Sequence, residues 1–170
     1  AEAAGAHVRH EGMQGKGNVV RRAFSDIEAD IYVMADGDGT YDATRAPELV
    51  DLLRDRQLDM VVGTRADESP EAYRRGHRLG NLLFNKAIAF LFGDRFKDIF
   101  SGYRVFSRRF VKSFPALSEG FEIETELTVH AIQLRMPVAE VATAYSSRVE
   151  GTESKLRTYR DGLRILLAIG

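Results

Sequence analysis

Short apolar runs alternate with longer helical patterns along this chain. The runs Ile31-Tyr32-Val33-Met34-Ala35, Met60-Val61-Val62-Gly63 and Val138 to Tyr145 read as strands. A further short strand is predicted near Ala6–Arg9, and an extended piece over Ile99–Phe106. Helices are predicted over about Asn18–Ile27, Ala46–Arg56, Tyr73–Phe92 and Glu122–Arg135, with a short one before Pro115 and a last one from Leu156. Strands alternating with helices predict an α/β fold, a mostly parallel sheet with flanking helices. In such sheets ligands collect beyond the carboxyl ends of the strands. The residues that follow Ala35 and Gly63 are therefore where a site is expected.

Composition narrows the picture. With 170 residues and 44% hydrophobic content, the chain can form one domain with a real core. The absence of cysteine excludes disulfides, thiolate metal sites and cysteine nucleophiles, and fits a reducing, cytoplasmic compartment. Any metal must be held by oxygen or histidine. The net charge of −1 conceals acidic segments alternating with basic ones. No basic run is interleaved with aromatics, so nucleic acid is not an expected partner. No stretch reaches the roughly 20 apolar residues of a membrane span; Leu82 to Phe92 is interrupted by Asn85 and Lys86.

The candidate chemistry centres on Asp36-Gly37-Asp38-Gly39-Thr40-Tyr41-Asp42, directly after a strand. A Gly between two Asp residues lets both carboxylates converge on one hard cation, Mg²⁺ or Mn²⁺, which could clamp a diphosphate. The plain alternative is a turn in which Asp42 caps the next helix. Gly15-Lys16-Gly17-Asn18 opens a helix where free N–H groups and a lysine could meet a phosphate. A Walker A loop is rejected, because His10 and Gly17 stand where it needs Gly and Ser or Thr. Arg65 ends the strand through Gly63, and Asp98 precedes the glycine turn of Ser101-Gly102-Tyr103-Arg104. Arg148 to Lys155 puts two cations on a glycine-containing loop suited to closing over an anion. Glu122, Glu124 and Glu126 are split between helix faces and expected in solvent; Glu124 is the choice if one faces a site. The four histidines are scattered and carry no assigned chemistry. The last helix gathers Leu156, Tyr159, Leu163, Leu166 and Leu167 on one stripe with Arg157, Arg160 and Arg164 off it, to pack on the domain or lie on an anionic membrane.

Taken in order, Gly15-Lys16-Gly17-Asn18, Asp36-x-Asp38 with Thr40-Tyr41, Val62 to Arg65, Asp98 with Ser101 to Arg104, Glu140-Val141 and Arg148 to Leu156 resemble the family 2 inverting glycosyltransferases of GT-A fold. The nearest resemblance is to dolichol-phosphate mannose synthase and polyprenyl-phosphate sugar transferases. That resemblance implies a nucleotide-diphosphate sugar as donor and a polyprenyl phosphate as acceptor. It implies that Asp36 and Asp38 hold Mg²⁺ or Mn²⁺ on the donor, that Lys16 and Arg65 face its phosphates, and that Arg104, Arg148, Ser154 and Lys155 receive the acceptor phosphate. Asp98 is then the base or orienting carboxylate, with Asp38 and Arg65 beside it at the reacting centre. Members of this family begin with a strand, a Pro-x-Tyr-Asn-Glu-like loop and a second strand that hold the nucleoside. Residues 1–155 are accordingly expected to be a catalytic domain lacking those strands, with weak donor binding and self-association through an uncovered sheet edge. Residues 156–170 are expected to be a membrane-interfacial helix on the cytoplasmic face. Three rivals remain: the same chemistry on a soluble acceptor, a haloacid-dehalogenase-like phosphatase with Asp36 as nucleophile and Asp38 as acid/base, and an inactive assembly fragment.

Overall fold

The computed structural model describes residues 1–67, 96 and 98–146. Four strands, β1 (Ile31–Met34), β2 (Met60–Asp67), β3 (Arg104–Ser107) and β4 (Val138–Tyr145), form one sheet in the order β1-β3-β2-β4. β2 and β4 pair in parallel over their full length, whereas β3 runs antiparallel to both of its neighbours, β1 and β2. Three strands thus point one way and the sheet is mixed. The extended piece predicted over Ile99–Phe106 becomes strand only at Arg104, because residues before it form a turn that sends the chain back between β1 and β2.

Helices α1 (Lys16–Asp26), α2 (Ala46–Asp55), α3 (Arg108–Ser113) and α4 (Ile123–Gln133) flank the sheet. Side chains alternate across each strand. Met60, Val62 and Phe106 join Val20, Phe110, Ile123 and Leu127 on one face, and Val61 and Val105 join Leu49 and Leu53 of α2 on the other. Burial on both faces explains why β2 reads as a continuous apolar run instead of an alternating one. α2 opens from a short 3-10 turn, Ala43–Arg45, that Asp42 caps by accepting from the Thr44 N–H at 3.0 Å. The capping role considered for Asp42 is the one observed.

No strand forms at Ala6–Arg9. This segment follows a 3-10 turn, Glu2–Ala4, closed by Gly5 in the left-handed region (φ 80°). No described strand lies beside it to complete a ladder, and the segment is mostly exposed. The predicted helices at Tyr73–Phe92 and from Leu156 lie outside the described residues. Among the described residues no helix is long and apolar enough to cross a membrane.

Candidate active site

The register of β1 against β3 pairs Met34 with Arg104, so the residues just past β1 arrive beside those just before β3. Asp36 consequently lies over Gly102. A Cβ built on Gly102 would stand 2.6 Å from Asp36 Oδ2 and 2.9 Å from Lys16 Nζ. Glycine at this position leaves room for the acidic side chain. Lys16 Nζ donates to Asp36 Oδ1 at 2.5 Å and to Glu124 Oε1 at 2.5 Å, bridging α1, the loop after β1 and the first turn of α4.

This bridge corrects the expectations for α1 and α4. Lys16 is only 16% exposed and its ammonium is engaged by carboxylates. The first N–H groups of α1 are also engaged, since Gly17 and Asn18 both donate to the Glu119 carbonyl, at 3.0 and 3.4 Å. Gly15 and Gly17 are glycines because backbone passes over them: a Cβ would lie 2.1 Å from Glu119 O and 2.0 Å from Ser118 O, respectively. Glu122 and Glu124 are buried, not solvated, and Glu126 accepts from the Leu117 and Ser118 N–H groups. Burial works against the Lys16 ammonium, but Glu124 and Asp36 outweigh it and raise its pKa. Burial pushes the Glu124 carboxyl up, with Lys16 pulling it back towards the ionised form.

Asp38 Oδ1 accepts from the Thr40 hydroxyl at 2.6 Å and the Thr40 N–H at 3.2 Å. The turn passes through Gly39 at φ 74°, a conformation that favours glycine. Thr40 itself is buried, and its carbonyl accepts from the Ser146 N–H at 2.9 Å. The loop is thereby tied to the end of β4.

A second cluster forms on β2. Arg65 donates from Nε and Nη2 to the two oxygens of Asp98, at 2.8 and 2.9 Å, and its backbone N–H adds a bond at 3.2 Å. Burial alone would raise the Asp98 pKa, but Arg65 outweighs it and holds the carboxyl below its ordinary value. The Arg65 guanidinium also sits 5.6 Å from the Tyr145 ring centroid. Tyr41 contacts Tyr103 and Tyr145, and its hydroxyl accepts from the Gly102 N–H at 2.9 Å, linking this cluster to the acidic loop.

Arg104 has no access to a ligand. It is fully buried, with Nε on Ser101 O at 2.9 Å, Nη2 on Ile99 O at 2.6 Å and Nη1 on Thr128 Oγ1 at 2.9 Å. The expectation that it receives an acceptor phosphate is corrected: the guanidinium satisfies carbonyls of the 99–101 turn, which no solvent reaches. Arg148, Ser154 and Lys155 lie outside the described residues. Sequence reasoning missed Tyr41 and Gly102 as parts of one arrangement, although both stand within motifs it singled out.

Asp36 and Asp38 are suited to a divalent cation of the Mg²⁺ or Mn²⁺ type, which is commonly held by one or two carboxylates with water and substrate phosphates completing the shell. Among the described residues no group of three or more His, Asp or Glu forms a self-sufficient metal cage.

A mixed sheet of this order with helices on its faces, acid past β1 and an arginine on the parallel β2, defines the architecture as an α/β domain. Glucosyl-3-phosphoglycerate synthase from Mycobacterium tuberculosis, solved in complex with Mn²⁺ and uridine-diphosphate-glucose, matches 98% of this chain and 56% of its own at a TM-score of 0.69 and 23% identity. The fold is therefore GT-A. A glycosyl transferase family 2 profile matches residues 4–114. Glycosyltransferase AglJ of Haloferax volcanii is 43% identical over 171 residues, covering 99% of this chain and 56% of the relative. A low-salt glycan biosynthesis hexosyltransferase of the same organism is 31% identical over 163 residues, 94% of this chain and 39% of the relative. The chain belongs to glycosyl transferase family 2, and it spans about half the length of the curated relatives it matches. The family match takes in Asp36 and Asp38, which sets the phosphatase reading of that motif aside.

Proposed function

We propose that this chain forms the catalytic domain of a transferase moving a sugar from a nucleotide-diphosphate sugar to a polyprenyl phosphate, with inversion at the anomeric carbon. The observation that carries the reading is the paired arrangement, in a family 2 chain, of Asp36 and Asp38 past β1 and the Arg65–Asp98 fork on β2. Asp36 and Asp38 would hold Mg²⁺ or Mn²⁺, which when bound offsets charge on the departing diphosphate. Arg65, paired with Asp98 towards the end of β2, presents a cation on a second strand parallel to β1. An acceptor phosphate oxygen attacks the anomeric carbon, the bond from that carbon to the diphosphate breaks, and the electron pair leaves with the diphosphate. The acceptor oxygen is already an anion at neutral pH, so little proton removal is needed. Asp98 is held ionised with both oxygens on Arg65, which suits it to orienting rather than to taking a proton. Arg148, Ser154 and Lys155 supply the cationic loop for the acceptor phosphate, and the amphipathic segment 156–170 brings it to a membrane surface.

The assay is transfer from labelled uridine- and guanosine-diphosphate sugars with Mn²⁺, offered dolichyl phosphate in detergent or 3-phosphoglycerate in solution. Transfer to the lipid, lost with Arg148→Glu while donor binding persists, is the expected result. Transfer to the soluble acceptor alone gives the function to a soluble-substrate enzyme. No transfer to either, with a protein spanning the full length of its relatives, overturns the reading.

A further inference from the structure

Glu124 is buried at the start of α4 and has no role of its own in the donor reading. Its Oε1 takes the Lys16 ammonium, while its Oε2 is buried with no hydrogen-bond partner among the described residues. Such a group is costly to enclose unless a cation requires it. Two cations act on it: Lys16 in contact, and the fully buried Arg104 through space. Lys16 in turn is shared between Glu124 and Asp36 at equal distances of 2.5 Å.

We propose that Glu124 is a positioning residue that, by sharing Lys16, keeps the Asp36 carboxylate oriented and electrostatically available to a divalent cation. The proposal rests on the reading of Asp36 and Asp38 as metal ligands. With Glu124 ionised, the Lys16 ammonium is divided between two carboxylates and Asp36 keeps part of its charge for a divalent ion. Without that charge, Lys16 belongs to Asp36 alone. Lys16 would then compete with the metal at Asp36 Oδ1, the oxygen it already contacts. Partners in the layer behind metal ligands commonly change metal affinity by about 10- to 100-fold, so an effect near the lower end is expected from a residue acting through Lys16.

Electron paramagnetic resonance of free Mn²⁺, titrated into the protein with uridine diphosphate present, reads this without turnover. Glu124→Gln, nearly the same size, is expected to weaken Mn²⁺ binding about tenfold. The double variant Lys16→Met with Glu124→Gln removes the competing cation together with its partner, and its Mn²⁺ affinity should return to within about threefold of the parent. A purely structural tie between α1 and α4 predicts otherwise. Unchanged Mn²⁺ affinity in Glu124→Gln, or a double variant no tighter than the single one, overturns the proposal. If Glu124→Gln does not fold, Glu124→Asp, which keeps the charge but shortens its reach to Lys16, takes its place and is expected to weaken Mn²⁺ binding in the same direction, and unchanged affinity again overturns the proposal. If the parent binds no Mn²⁺, the metal reading itself fails and takes this inference with it, a result distinct from equal binding by parent and variant.

Discussion

Gly102 lies directly under Asp36, and the atoms a methyl group would meet there are the ends of two flexible side chains. Gly102→Ala is therefore expected to leave the melting temperature within a few degrees while displacing the acid by a fraction of an ångström or more. Misplacement of about 1 Å at a reacting centre costs on the order of 100-fold. Turnover by that variant, measured beside its thermal melt, should fall at least tenfold if the acid works as proposed; equal turnover would show that Asp36 has no catalytic position to lose. Asp36, Asp38, Arg65 and Asp98 stand out in the sequence because each follows an apolar run or lies near a glycine turn. The partners they take do not. Glu124 is the one of the three glutamates the sequence favours if any faces a site, but its partner Lys16 shows only in the contact of α4 with α1. Arg104 shows the converse. Its motif suggests an anion site, and the three-dimensional turn gives all of its bonds to the protein interior.

The α1 opening shows how an element can carry one sequence pattern for an unexpected reason. A glycine on either side of a lysine at a helix start resembles a phosphate cradle, yet the 118–119 backbone fills the cradle with a carbonyl. Unlike Gly102, Gly17 faces backbone that cannot swing aside. Gly17→Ala should cost at least the 1–3 kcal/mol of an overpacked core position, read as a lowered urea midpoint with unchanged slope. A midpoint matching the parent would mean that the 118–119 segment yields freely. The alternating pattern made α1, α2, α4, β1, β2 and β4 legible within a few residues. β3 was less so, since an apolar run buried on both faces carries no sign of its direction, and direction here is set by the turn that Arg104 and Asp98 hold.

At the scale of the whole molecule, Asp98 and Asp59 are among the described groups that link stability to pH. Burial opposes the charge on Asp98 and on Asp59, but Arg65 overrides it at the first, and Arg109 with Ser107 at the second, so both pKa values lie below the ordinary value. A depressed folded pKa gives stability that is present above the unfolded value of about 3.9 and lost as pH falls through the folded one. The share of stability that Asp98 and Asp59 supply should be fully present at neutrality and be lost below about pH 4, read as a drop in melting temperature. Asp59→Asn should flatten part of that drop; a variant losing stability in parallel with the parent across the whole range would exclude Asp59 from the linkage.

Sheet order also dictates when the domain can close. β1 and β2 are consecutive in the chain but are not neighbours in the sheet, because β3 stands between them. Neither can find its central partner until Arg104–Ser107 has left the ribosome, and β2 gains its second neighbour only with Val138–Tyr145. Until Arg104–Ser107 emerges, the apolar strands Ile31–Met34 and Met60–Val62 therefore remain without their central partner, and pairings between distant segments close slowly. Unpaired apolar strands of this kind are the surface on which nascent chains associate wrongly.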